Sequence, residues 1–198
     1  MQTFIQKTFN ISELKSISVK SIEEHLKLYT GYVTHTNLVL EKIKELSEKP
    51  EENMGILSGL QKRFGFEYNG MRNHEIYFSS LSGGSKALPE ESKLRESIIK
   101  EWSSFEKWLE LLKAIATTRG IGWAILYFDK KENRLLNAWV DEQHFGQLNS
   151  CEMILALDMW EHSYYLDYTP ADKKKYIEAF FENLNWEVIE KNYLEAIK

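Results

Sequence analysis

Apolar side chains recur along the first part of the chain at steps of three, four and seven. From about residue 19 to 47, His25, Leu28, Tyr32, Val39, Ile43 and Leu46 fall on one stripe, the spacing of an amphipathic helix. Lys49, Pro50 and Glu51 interrupt it, and a second stripe runs through Leu60, Phe64, Met71, His74, Phe78 and Leu81. Two long helices with so short a connection make an antiparallel hairpin. Residues 82–91, SGGSKALPEE, oppose helix at Gly83, Gly84 and Pro89. The boundary is expected there, with a helical hairpin over 1–84 and a second unit over 85–198.

In that second unit a third helical pattern spans about 90–118 through Leu94, Ile98, Trp102, Phe105, Leu109 and Leu112, stopping near Gly120 and Gly122. The period then changes. Residues 123–128 and 135–140 are short runs of aromatic and branched residues joined by the polar turn 129–133, which reads as a hairpin of strands. Residues 153–157 are a third apolar run. From 170 to 198 two short helices are expected, meeting near Asn185 and Trp186. Helices, then a helix, three strands and helices, define an α+β fold whose C-terminal α/β domain carries a three-stranded antiparallel sheet.

With 198 residues and 43% hydrophobic content the chain can bury a core. Its net charge of −5 offers no basic surface to neutralise phosphates, which argues against nucleic acid as a partner. No apolar run approaches the length needed to cross a bilayer, and the opening residues carry no apolar export core, so a soluble, cytoplasmic protein without a membrane partner is expected. Cys151 is the only cysteine, which rules out an internal disulfide and a thiolate cluster. Any metal must then be held by His, Asp, Glu or Tyr.

The five histidines are the candidates for chemistry. His25 and His74 lie on the core-facing stripes of two helices expected to pack together, where a bundle builds a metal site. Asp158 and His162 stand four residues apart, beside Trp160, Tyr164 and Tyr165. Imidazole and carboxylate donors without thiolate suit Mn, Fe or Zn. Each residue also has a plainer reading: a single histidine on a helix stripe is more often a hydrogen-bonded core or boundary residue, and Asp158 with His162 could be a solvent-facing i,i+4 pair. The residues alone stop at a soluble α+β protein with a possible metal site.

The segment DMWEHSYYLDY at 158–168, followed by NLNWEVIEKNY at 183–193, resembles the signature of the iron/manganese superoxide dismutases, D-x-W-E-H-A-Y-Y with a downstream N-W and a closing Tyr. NGMRNHEIYF at 69–78 resembles the helix that carries the family's second histidine, RGIGWAILYFD at 119–129 its G-x-G-W strand, and IEEHLKLYTGYV at 22–33 its first helix. The likeness runs along nearly the whole chain, and the C-terminal block matches most closely. It implies His25, His74, Asp158 and His162 as ligands of one Fe or Mn ion per subunit, with a solvent molecule completing the site. It further implies Tyr32 as gate residue, Trp123 and Trp160 as aromatic wall, Tyr165 of the motif as a further site residue, and Glu161 as a carboxylate reaching His162 of the partner subunit in a homodimer. Such a carboxylate would fix the imidazole tautomer. The implied reaction converts superoxide, the substrate, into dioxygen and hydrogen peroxide.

The sequence also departs from the family pattern. His25 and Tyr32 are seven residues apart, where most members have eight and a helix bulge. Seven steps return a side chain to within about 20° of its starting face and eight carry it about 80° away, so a regular helix without the bulge is expected. The family's intervening histidine is replaced by Leu28 or Tyr29. In DEQHFG, 141–146, the group presented to the bound solvent is expected to be His144, with Gln143 as the alternative, and on that reading neither iron nor manganese is excluded. The anion-guiding arginine is missing, and Lys173 or Lys174 is the expected substitute. His35 matches nothing and reads as a surface residue. The main rival is a non-enzymatic dimeric interaction protein that keeps the fold. A hydrolytic metal enzyme lacks an obvious carboxylate base.

Overall fold

The computed structural model describes residues 3–198, so the first two positions of the expected N-terminal unit lie outside the described residues. Helix α1, Val19–Leu46, starts where the Ser18 hydroxyl accepts the Ser21 N–H at 3.1 Å. Helix α2, Pro50–Leu81, starts with proline in its first turn and with Glu51 and Glu52 against the positive end of the helix dipole. The two pack side by side as the hairpin. α1 is continuous α-helix throughout, without a π turn, as the seven-residue spacing predicts.

Its core-facing stripe keeps His25 and Val39 of the expected one but differs between and beyond them: Leu28 is 41% exposed and Tyr32, Ile43 and Leu46 are only partly buried, while Ile22, Tyr29, Val33 and Thr36 are buried. Tyr29 and Thr36 can enter the core because their hydroxyls are paired: Tyr29 Oη accepts the Lys7 N–H at 2.9 Å and lies 3.4 Å from Glu75, and Thr36 donates to the Tyr32 carbonyl at 2.7 Å.

The single helix expected over 90–118 is two helices, α3 Lys93–Trp102 and α4 Phe105–Ala116. Ser103 takes the left-handed conformation at φ 71° and ends α3, while the Ser104 hydroxyl caps α4 by accepting the Lys107 N–H at 3.1 Å. After this break Phe105 and Trp108 pack against Trp186, with ring centroids 5.3 and 6.0 Å from the Trp186 indole.

Strands β1 Gly122–Asp129, β2 Arg134–Asp141 and β3 Cys151–Asp158 form an antiparallel sheet in the order β2-β1-β3. β1 is central and almost wholly buried, and its register sets Trp123 opposite both Val140 and Asp158. Helices α5, Lys173–Glu182, and α6, Trp186–Ala196, close the chain and meet near Asn185 and Trp186 as expected, with the Asn185 side chain capping α6. α2 packs on β3, so one core runs from the hairpin into the sheet. This is the expected α+β architecture.

Candidate metal centre

Four side chains from four separate places converge where the hairpin meets the sheet: His25 from α1, His74 from α2, Asp158 at the last position of β3, and His162 in the 3-10 turn Glu161–Ser163. One donor atom from each lies within 4.8 Å of all the others. Nε2 of His25 and Nε2 of His162 both stand 3.1 Å from Asp158 Oδ2, and His74 Nε2 stands 3.6 Å from it. Donors about 2.1 Å from a common centre are about 3.0 Å apart at right angles and about 3.6 Å apart at 120°. The three distances are those of one coordination shell.

The tautomer of His74 leaves one buried nitrogen without a partner. Its Nδ1 lies 2.6 Å from the Gly70 carbonyl, which can only accept, so Nδ1 bears the proton and Nε2 is a bare lone pair. That lone pair is buried, has no hydrogen-bond donor, and faces a carboxylate oxygen. Two acceptors directed at each other in a dry interior repel; a cation between them removes the conflict. Burial pushes the His74 imidazole down to about 3, with His25 adding to the effect and Asp158 opposing it, and burial likewise lowers His25. Burial alone would raise Asp158, but its contacts with His162 and His25 outweigh it and hold the carboxyl well below the usual range. An ionised carboxylate and neutral imidazoles are the forms that bind metal, so the residues fit a divalent or trivalent ion.

The surroundings restrict the site. The Trp160 N–H donates to Asp158 Oδ1 at 2.8 Å and leaves Oδ2 for the cluster, and the Ser163 hydroxyl holds the Asp158 carbonyl. Trp123 stands edge-on to His74 at 5.0 Å, Tyr77 and Phe78 lie 4.8 Å from His25, and Trp160 stacks on His162 at 5.7 Å. The Tyr32 ring is 4.9 Å from His74. Burial first, and then the Asp158 carboxylate, raise the Tyr32 phenol above its ordinary value, so it keeps its proton at neutral pH.

The group beside Tyr32 is Gln143, fully buried, whose Nε2 donates to Tyr32 Oη at 2.9 Å and whose Oε1 accepts the Trp123 Nε1–H at 3.0 Å. His144, favoured from the sequence, packs its ring on Phe145 and Phe66 at 4.1 and 5.9 Å. The turn explains the exchange: Glu142 has φ +51°, and the conformation of a tight turn decides which of two successive side chains faces inward. Gly70 is needed for the same arrangement, since a Cβ there would come within 2.5 Å of the Tyr32 ring.

Glu161 and Tyr165 are exposed at the surface of the single chain. Lys173 donates to the Thr118 carbonyl at 3.0 Å, with its ammonium 5.8 Å from the Trp139 ring. His35 is 60% exposed, as expected. Sequence reasoning did not single out Gly70, Asn73 or Gln147. The spacing of Gly70 four residues before His74 was the available signal, because that carbonyl lies under the imidazole on a helix.

Three imidazoles and a carboxylate at the seam between a helical hairpin and an α/β domain define a protein with a thiolate-free site for one metal ion. The chain belongs to the iron/manganese superoxide dismutase family, and residues 89–192 match the family's model of the C-terminal domain. It is 33% identical over 190 residues to the iron superoxide dismutase of Aquifex aeolicus, covering 93% of this chain and 88% of that one. It is 34% identical over 170 residues to a manganese superoxide dismutase of Haloferax volcanii, covering 86% and 83%, and 31% identical over 179 residues to the iron enzyme of Tetrahymena pyriformis, covering 88% and 90%. Relatives named for either metal are equally similar.

Proposed function

We propose that this chain is a superoxide dismutase that holds one iron or manganese ion through His25, His74, Asp158 and His162. The observation that carries the reading is the unpaired Nε2 of His74 facing the Asp158 carboxylate inside a buried ring of donors. Held by these four residues, the ion would supply reversible one-electron chemistry for the disproportionation of superoxide. Two superoxide anions and two protons become dioxygen and hydrogen peroxide.

The chain's own groups do the rest. Asp158 contributes the one negative charge of the donor set, and Trp123, Tyr77 and Phe78 keep bulk water from its inner side. Tyr32 holds a proton at its phenol, and the Gln143 amide fixes that oxygen from one side, which makes the pair the route for protons to the departing peroxide. The Trp160 ring stacks on His162, and its backbone N–H holds the Asp158 carboxylate. Glu161 and Tyr165, exposed in the single chain, belong in this reading to a homodimer contact in which Glu161 meets His162 of the partner subunit. Lys173 or Lys174 guides the anion. The chain divides near 84/85, and its setting is antioxidant defence in the cytoplasm; no helix among the described residues is long and apolar enough to cross a membrane.

Superoxide decay should be followed after pulse generation with metal-free, iron-loaded and manganese-loaded protein. At least one loaded form is expected to accelerate decay catalytically, more slowly as ionic strength rises. Uptake of metal without acceleration would instead support an interaction protein that has kept the fold.

A further inference from the structure

We propose that Gln147 is a positioning residue for the metal centre: acting through Asn73 and the backbone of the 141–147 turn, it sets where the Gln143 amide sits. This rests on the proposed function. Gln147 is half-buried, and its side-chain hydrogen bonds go to none of the four candidate ligands. Its Nε2 donates to Asn73 Oδ1 at 3.0 Å and lies 3.4 Å from the Gln143 carbonyl, and its Oε1 accepts the Tyr127 hydroxyl. Asn73, buried beside His74, donates from Nδ2 to the Gln143 carbonyl at 3.0 Å.

The polarity of this relay is forced from both ends. A carbonyl can only accept, so Asn73 must present Nδ2 to Gln143; its Oδ1 then faces Gln147, which must present Nε2, and Gln147 Oε1 faces Tyr127, which must donate. At the other end the Trp123 indole can only donate, so Gln143 Oε1 faces it and Gln143 Nε2 faces Tyr32. No amide in the series can turn over without setting two donors or two acceptors against each other.

The turn needs such a restraint. Glu142 is a non-glycine residue with φ +51°, a conformation that persists only where neighbours over-determine it. The Trp160 indole holds the Glu142 carbonyl at 3.1 Å, and Asn73 with Gln147 holds the next carbonyl. With those two peptide groups fixed, Gln143 has one position from which to reach Tyr32. Loss of Gln147 removes one of the two donors to the Gln143 carbonyl and leaves the Asn73 amide, the other donor, without the partner that holds its Oδ1; an amide donor displaced beside a metal changes the relative stability of its two oxidation states.

The test compares wild type, Gln147→Glu and Gln147→Leu as iron-loaded protein by metal content, circular dichroism, redox titration and superoxide decay. Gln147→Glu keeps the shape but cannot donate to Asn73, so it answers the question even if Gln147→Leu fails to fold. The expected result is wild-type metal content and circular dichroism, a midpoint potential displaced from wild type beyond replicate error, and a fall in kcat of about tenfold. Tyr127→Phe, which frees only the far end of the relay, should displace the potential less than either. An unchanged potential in a folded, metal-loaded Gln147→Glu overturns the proposal. Failure of the proposed function appears separately, as wild-type protein that takes up iron, titrates reversibly and leaves superoxide untouched.

Discussion

The hairpin and the C-terminal domain each contribute two donors to the centre, and they hold them by different means. His25 and His74 ride on the two longest helices, fully buried, fixed by helix geometry and by rings packed around them. Asp158 and His162 lie on the last residue of a strand and in a single 3-10 turn, fixed by local hydrogen bonds from the Trp160 N–H and the Ser163 hydroxyl. One pair depends on two helices meeting correctly, the other on a short stretch of chain folding on itself. The contrast makes the C-terminal pair the half that carries the charge and, at His162, reaches partly to solvent, and the hairpin pair the half in which both members are wholly buried imidazoles.

The largest effect should come from the C-terminal half. Asp158→Ala removes the only anionic donor and leaves three imidazoles around a void; metal content measured by mass spectrometry is expected to fall at least about a hundredfold, at the top of the range for altering groups around a metal, with activity lost along with it. Retention of one ion per chain would show that the hairpin pair suffices.

Acid should next expose the cost of the hairpin pair in the metal-free protein. Between about 3 and 6.5 the unfolded chain binds a proton at His74 that the folded chain refuses, so stability falls as pH drops through 6.5 and goes on falling toward 3. Burial lowers His25 in the same direction, and Asp158, held below its ordinary value, adds a further loss only below about 4. The urea midpoint of metal-free protein should therefore decline steadily from pH 7 to 4, and a flat profile would mean that the imidazoles are not buried in neutral form.

Gly70→Ala probes the seam with a smaller push. Its Cβ meets the Tyr32 ring, so the ring must shift and its hydrogen bond from Gln143 is disturbed; stability should drop by about 1–3 kcal/mol and kcat by about tenfold. Denaturation and superoxide-decay measurements on the variant check both. The smallest effect lies far from the centre. Ser104→Ala removes the cap of α4 and should cost about 1 kcal/mol, a fall in Tm of about 2–4 °C by calorimetry, with kcat unchanged.

The same contrast explains what could be read from the sequence. Asp158, Trp160 and His162 sit within one short motif, so the C-terminal half of the site was visible as a string of residues. The helical half was visible only as periodicity, which put His25 and Val39 on the buried face of α1 but passed over Tyr29 and Thr36, whose hydroxyls enter the core only because they are paired there. The break at Ser103 and Ser104 was missed although two serines before an apolar run are a helix-start signal. The choice between Gln143 and His144 turned on one positive φ at Glu142, and its partners Asn73 and Gln147 come from distant or unmarked positions. Hydrogen bonds between segments far apart in the chain leave no local pattern to detect.

The central claim is that four side chains clasp one ion, and anomalous diffraction at the iron or manganese edge of metal-loaded crystals tests it most directly. The account predicts a single strong peak per chain, within about 2.3 Å of Nε2 of His25, His74 and His162 and of Oδ2 of Asp158. A peak elsewhere, or one bonded to only two of these atoms, would contradict it.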